Sequence, residues 1–246
     1  MKPTDVGTWL ITFVGMKAIV TGATKGIGRS IVMALAGAGY DLGLGSRNLQ
    51  DLEYLSREIK AIYPHLEVIT KSCDFSQKFE TRNFADTFIN YWGNIDVLVN
   101  NVGSYEEDAI DHFNEKRLEE MMNINFMSAV RLTQPFVPEF KKKGSGHIIN
   151  ICSVLSKKTR KNAVSYSISK HALYTYTKLL RDDLRNFNVK VTAILPGSTN
   201  TSSWDGIEAP VQEFVQPEDV ANGVMMAITS NGMVEELEIK PINPNL

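Results

Sequence analysis

Short runs of β-branched and aliphatic residues alternate along this chain with longer stretches whose apolar positions recur every three or four residues. The first kind predicts strands at 17–21, 41–46, 66–72, 95–100, 147–152, 189–195 and 236–240. The second predicts helices at 27–38, 49–62, 76–91, 115–142, 163–186 and 217–230. Strand and helix in regular alternation imply an α/β architecture. Its seven-stranded, mostly parallel sheet is covered by helices on both faces.

Composition fits that picture and narrows it. The chain has 246 residues, 43% hydrophobic and 22% charged, enough for one large, well-buried domain. No linker, repeat or low-complexity tract divides it. A formal net charge of −2 leaves no electrostatic footprint for nucleic acid or an anionic membrane. Cys73 and Cys152 read as two buried thiols in a reducing cytoplasm. Residues 1–15 stand apart as an N-terminal extension, with 16–246 as the single domain. The extension's apolar stretch Trp9-Leu10-Ile11-Thr12-Phe13-Val14 lacks the cleavage site of a secretory signal and is too short to span a bilayer. Whether it belongs to the native protein, and whether it packs on the surface, stay open.

Two stretches carry chemistry. The predicted strand at 17–21 runs straight into Thr21-Gly22-Ala23-Thr24-Lys25-Gly26-Ile27-Gly28 and then a helical pattern. A glycine turn opening onto a helix N-terminus lets backbone approach a pyrophosphate, whose charge the unpaired N–H groups and the helix dipole stabilise. A glycine turn can also serve only close strand–helix packing. The second stretch is Ser153 followed by Tyr166-Ser167-Ile168-Ser169-Lys170. On a helix, Tyr166 and Lys170 are an i, i+4 pair. At roughly 5–6 Å and an effective dielectric near 20, an ammonium favours a phenolate by ~3 kcal/mol, or about two pKa units. That would turn a phenol into a usable proton donor. Alone, such a pair is more often a core ring beside a solvated lysine.

In combination these motifs resemble the short-chain dehydrogenase/reductase family, in its single-domain branch. The landmarks come in order: Thr21-Gly22-x-x-x-Gly26-Ile27-Gly28, Asp74, Asn100-Asn101-Val102-Gly103, Asn125, Ser153, Tyr166-x-x-x-Lys170 and Pro196-Gly197. The likeness runs from about Lys17 to Ala227. It implies a Rossmann-type doubly wound sheet. It also implies a cofactor cradle in which Asp74 contacts the adenine, Asn101, Val102 and Gly103 border the ribose, and Pro196, Gly197 and Thr201 hold the carboxamide side of the nicotinamide. Val102 stands where the family usually has alanine. Asn125 is implied to hold a water that replenishes the proton, in preference to Asn123, because Ile124-Asn125-Phe126 matches the family pattern. Helices at about 115–142 and 163–186 are implied to pair with their copies in a homodimer or homotetramer. Leu173, Tyr174, Leu180 and Phe187 would supply apolar surface for the second of these.

Cofactor choice is read at the end of the second strand, where NAD-selecting enzymes carry a carboxylate. This chain has Gly45-Ser46-Arg47-Asn48 there. Arg47 offers a planar fork to a 2′-phosphate, Ser46 a donor, and Lys25 in the glycine turn a second charge, so NADP(H) is expected. The expected activity is reduction of a carbonyl to an alcohol, or the reverse. Ser153 and Tyr166 would meet the oxygen, Tyr166 would give the proton, and Lys170 would lower its pKa while bonding the nicotinamide ribose. A catalytically silent dinucleotide-binding scaffold of the same fold is the alternative. Ser198 to Gln216 would form a lid with Trp204, Ile207 and Phe214, sized for a small or linear ketone, aldehyde or 3-oxoacyl compound. Lys157, Lys158, Arg160 and Lys161 would sit at its rim, where they could steer an anionic substrate. No metal-ligating cluster, nucleic-acid partner or membrane contact is expected.

Overall fold

The structure is a computed structural model and describes residues 13, 15–204, 206 and 208–243. Its first strand, β1 (Lys17–Thr21), is buried at every position after the first, which suits the middle of a sheet covered on both sides. It pairs in parallel with β2 (Asp41–Ser46) on one side and β4 (Val97–Asn100) on the other. The remaining strands are β3 (Val68–Ser72), β5 (Gly146–Ile151), β6 (Val189–Pro196) and β7 (Glu236–Ile239). All seven form one parallel sheet in the order β3-β2-β1-β4-β5-β6-β7. The chain winds outward from β1 to β3, then returns to start β4 beside β1. Strand order therefore reverses between β1 and β4, where a crevice opens at the strands' carboxyl ends.

Side-chain alternation along β1 divides the core in two. Ala18 and Val20 face α1 (Gly26–Gly37), α2 (Leu49–Ile62) and α7 (Pro217–Thr229), through Ile31, Leu35, Leu52, Ile59, Val220 and Val224. Ile19 faces the other layer, built by α3 (Lys78–Trp92), α5 (Ser128–Lys143) and α6 (Val164–Leu184) through Phe84, Phe88, Phe136, Phe140 and Leu180. Phe13, within the expected extension, donates its N–H to Ala38 O at 2.9 Å and packs on the Tyr40 ring at 4.8 Å. The rest of the apolar stretch 9–14 lies outside the described residues.

One predicted helix is two. The stretch expected to be helical over 115–142 divides into α4 (Glu115–Met122) and α5, joined by a π-helical turn over Asn123–Met127. The fully buried Asn125 side chain explains the extra residue in that turn. Its carbonyl accepts from Ser104 N (2.8 Å), while its amide donates to Ser104 O (3.0 Å) and Ser169 Oγ (3.0 Å). Three tertiary hydrogen bonds outweigh one turn of ideal helix.

Candidate active site

At the switch point the strand ends border a cleft of about 1250 Å³. Its floor is the turn between β1 and α1. Gly22 and Gly26 have φ of +62° and +49°, which side chains rarely tolerate. A Cβ on Gly28 would come within 2.0 Å of Gly22 O, so the turn can close only with glycine there. Asn101 braces it from β4, its side-chain amide donating to Thr21 O (3.0 Å) and Gly22 O (3.2 Å). Lys25 precedes α1 without capping it, so the first-turn N–H groups of Gly26, Ile27 and Gly28 lack a side-chain acceptor at the cleft floor.

One end of the cleft gathers the groups expected to read a phosphate. Ser46 and Thr24 share a hydroxyl–hydroxyl contact of 3.1 Å, and exposed Arg47 lies beside them. Lys25 is not alone: Asp51, from the first turn of α2, approaches its Nζ to 3.8 Å and also lines the cleft. Asp51 lies beyond the end of β2, in the following helix, so only the folded chain brings an acid to this position. Asp74 also faces the cleft and accepts from Ser76 N (3.0 Å) and Ser76 Oγ (2.7 Å).

The other end holds Ser153, just past β5, and Tyr166 and Lys170 on α6. The Ser153 hydroxyl lies close enough to the Tyr166 phenol to lower its pKa, and it accepts from Leu155 N at 3.1 Å. Lys170 is 4% exposed, donates to Ile151 O at 2.9 Å, and sits 5.8 Å from the centre of the Tyr166 ring. The expected lowering of the phenol pKa by Lys170 does not occur in this arrangement. Burial pushes Tyr166 up to about 12, opposed by the neighbouring Ser153 hydroxyl, and burial also pulls Lys170 down to about 8. The ammonium is directed at a backbone carbonyl, and desolvation outweighs attraction for both groups.

Most of the sequence-predicted residues line this one cleft: Gly22, Thr24, Lys25, Gly26, Ile27, Gly28, Ser46, Arg47, Asp74, Asn101, Val102, Gly103, Ser153, Tyr166, Lys170, Pro196, Gly197 and Thr201. Two stand behind it. Thr21 is 2% exposed, and its hydroxyl accepts from Asn101 N (3.0 Å) and Val102 N (3.2 Å), tying β1 to β4. Asn125 is closed off by its bonds to Ser104 and Ser169. Its carbonyl oxygen and Lys170 Nζ would lie 3.1 and 3.3 Å from a Cβ on Gly103, so these groups converge beneath that glycine. Asn123 instead accepts from Arg131 at 3.0 Å. Trp204 lines the lid side, whereas Phe214 is buried behind it with ring centres 4.8 Å apart, and Ile207 lies outside the described residues.

The basic rim is also different from expectation. Lys157 turns to Glu236 and Glu238 on β7, so its charge is already matched, while Arg160 reaches the cleft. Three residues were missed from sequence: Asp51, Tyr105 and Asp108. Tyr105 meets the Tyr166 ring edge-on at 5.1 Å and 76°, and Asp108 accepts from Ser165 N at 3.0 Å. Neither contact has a periodic or motif signal, since each joins positions more than fifty residues apart.

A doubly wound parallel sheet with a glycine turn at its switch point defines a Rossmann-type fold. The profile of the short chain dehydrogenase family matches residues 16–211, and the chain belongs to that family of oxidoreductases. It is 31% identical over 238 residues to a sepiapterin reductase of Chlorobaculum tepidum, covering 93% of this chain and 97% of that one. Against an uncharacterized oxidoreductase of Staphylococcus epidermidis it is 30% identical over 227 residues, covering 92% and 96%. An alcohol dehydrogenase of the archaeon Thermococcus sibiricus, solved in complex with 5-hydroxy-NADP, matches with a TM-score of 0.85 at 25% identity, over 92% of this chain and 97% of that one. No helix among the described residues is long and apolar enough to cross a membrane.

Proposed function

We propose that the protein is an NADP(H)-dependent carbonyl reductase, able to run in reverse as an alcohol dehydrogenase. The observation that carries this reading is the convergence of Ser153, Tyr166 and Lys170 at one end of a cleft whose far end presents Ser46, Arg47 and Lys25. The chain's residues fit the cofactor. The uncapped first turn of α1 leaves N–H donors for a pyrophosphate, and the glycine turn leaves room for it. Arg47 and Ser46 suit a 2′-phosphate, and the end of β2 carries no carboxylate to repel it. A relative named as a reductase and a structural neighbour named as an NADP-complexed alcohol dehydrogenase support the same chemistry.

Bound NADPH supplies a hydride for the carbonyl carbon. Ser153 and Tyr166 supply preorganised donors for the oxygen on which charge develops. A phenol titrating at about 12 is protonated at neutral pH and so holds the proton that reduction requires. Developing alkoxide is a stronger base than a phenolate, so transfer from Tyr166 is downhill late in the step. Below about pH 8 Lys170 is an ammonium that can hold the nicotinamide ribose. Asn125 fixes the Ser104 backbone and Ser169 around these groups. Substrates of small or linear shape suit the lid formed by Ser198 to Gln216. Association into a homodimer or homotetramer belongs to the same reading.

The test is oxidation of NADPH with a panel of aldehydes, ketones and 3-oxoacyl thioesters. Tyr166→Phe should lower turnover at least ~10²-fold, the contribution of a positioned acid, with folding and cofactor affinity kept. Cofactor binding without turnover of any carbonyl would favour the silent scaffold.

A further inference from the structure

Tyr166 occupies the third position of α6, where the helix has just begun. A helix start leaves its first N–H groups without intrahelical partners, and Ser, Thr, Asp or Asn at the N-cap normally satisfies one of them. Here the N-cap is Ala163, which has no side chain able to accept, and the first turn carries no acid. The acceptor comes from elsewhere. Asp108, 8% exposed, places its carboxylate oxygens 3.0 and 3.2 Å from Ser165 N and also accepts from Ser165 Oγ. Ser165 N–H is the donor that an N-cap side chain would take.

Backbone contacts join the same segments. Asp108 N donates to Asn162 O at 3.3 Å, Val164 N donates to Asp108 O at 3.4 Å, and Asp108 and Ala163 form an isolated parallel bridge. The segment 104–108 is therefore pinned twice to the catalytic machinery. At its start Asn125 bonds both backbone groups of Ser104 and reaches Ser169 on α6, and at its end Asp108 holds Ser165. Between the pins Tyr105 leans edge-on against Tyr166.

We propose that Asp108 is a positioning residue for the proton-transfer step: by capping α6 from outside the helix it sets Tyr166 against Ser153. This rests on the carbonyl-reductase reading. Its action is indirect, since Asp108 touches the backbone beside Tyr166 and not the phenol. A helix start that frays moves the phenol relative to a serine fixed on a different element, and a misplacement of about 1 Å can cost on the order of a hundredfold in rate.

The experiment compares Asp108→Ala, Asp108→Asn and Ser165→Ala with the unmutated protein, using NADPH and the best aldehyde from the panel. Turnover is expressed per folded molecule, and NADPH affinity and Tm are measured on the same samples. Asp108→Ala should lower kcat by about 10- to 100-fold while KM and NADPH affinity change less than threefold. Asn keeps an oxygen for Ser165 N and an amide that the Ser165 hydroxyl can meet by reversing its role, so Asp108→Asn should restore kcat to within about fivefold of normal. Ser165→Ala, which keeps the backbone donor, should fall between them. If Asp108→Ala does not fold, the Asn and Ser165 variants carry the decision by the same split. Normal kcat per folded molecule in the alanine variants, or equal losses in kcat and cofactor affinity, would overturn the positioning role and leave the reductase reading intact. An unmutated protein inactive toward every carbonyl would defeat that reading and this proposal with it.

Discussion

Lys170 and Tyr166 illustrate how burial and charge compete for a single side chain. The ammonium is charged below about pH 8 in the folded protein, against an ordinary lysine value near 10.5. Cofactor affinity that depends on this charge should fall as pH rises through about 8, and Lys170→Met should bind NADPH more weakly with no such step. Stability runs the opposite way. Between about pH 8 and 10.5 the unfolded chain binds the extra proton, so the unmutated protein should gain stability relative to Lys170→Met as pH rises through that window. Paired calorimetric and denaturation series across that range check both signs. At the other end of the cleft, Arg47→Ala should weaken NADPH by about 1–3 kcal/mol and leave NADH nearly unchanged. Asp51 lies 3.8 Å from Lys25 Nζ and would oppose a 2′-phosphate held there. Asp51→Asn should therefore tighten NADPH, by several-fold at low salt and less at high salt, because an exposed charge is screened. Equal calorimetric affinities of the unmutated protein for NADPH and NADH would remove the basis of both expectations.

Among the elements, the π-helical turn between α4 and α5 has the clearest cause. A helix over 115–142 would be continuous if only its own backbone mattered, but Asn125 supplies three hydrogen bonds to Ser104 and Ser169 that ideal geometry would not allow. Asn125→Ala should remove the partner of Ser104 N and Ser104 O and one partner of the buried Ser169 hydroxyl, which keeps its bond to Tyr166 O. At about 0.5–1.5 kcal/mol for each bond lost, urea denaturation should show a loss of about 1.5–4.5 kcal/mol. An unchanged midpoint would mean that the turn is held by packing alone. Lys157 teaches a related lesson at the edge of the sheet. In sequence it belongs to a basic cluster, yet in space it closes on two acids of β7, which aligns the segment after Ser153 with the last strand.

For the whole molecule, the outer surface of α6 raises the question of association. Leu173 and Leu180, expected to face a partner, are instead buried in the chain's own core, at 1% and 8% exposure. Ile168 (43%), Leu179 (63%) and Phe187 (40%) remain exposed and are the apolar positions available to a second copy. A homodimer or homotetramer should be seen by light scattering at micromolar concentration, and Leu179→Glu should shift it toward monomer by placing charges opposite each other at the interface. A monomeric unmutated protein would contradict that assembly.

Strand and helix order and the parallel sheet were legible from local periodicity, the Tyr166–Lys170 pair from spacing on one helix, and Ser153 from its place among ordered motifs that resemble the family's. The direction of the Tyr166 shift was not legible. Spacing along a helix places Lys170 near Tyr166, but only the packed structure shows the ammonium bonded to Ile151 O and both groups withdrawn from water. The same limit hid Asp108, Asp51 and the inward turn of Asn125, since each is defined by a partner on a different element. Periodicity fixes what a segment buries against the core. Which distant polar group completes a helix start or competes for a phosphate site is decided only when desolvation forces those groups to find one another.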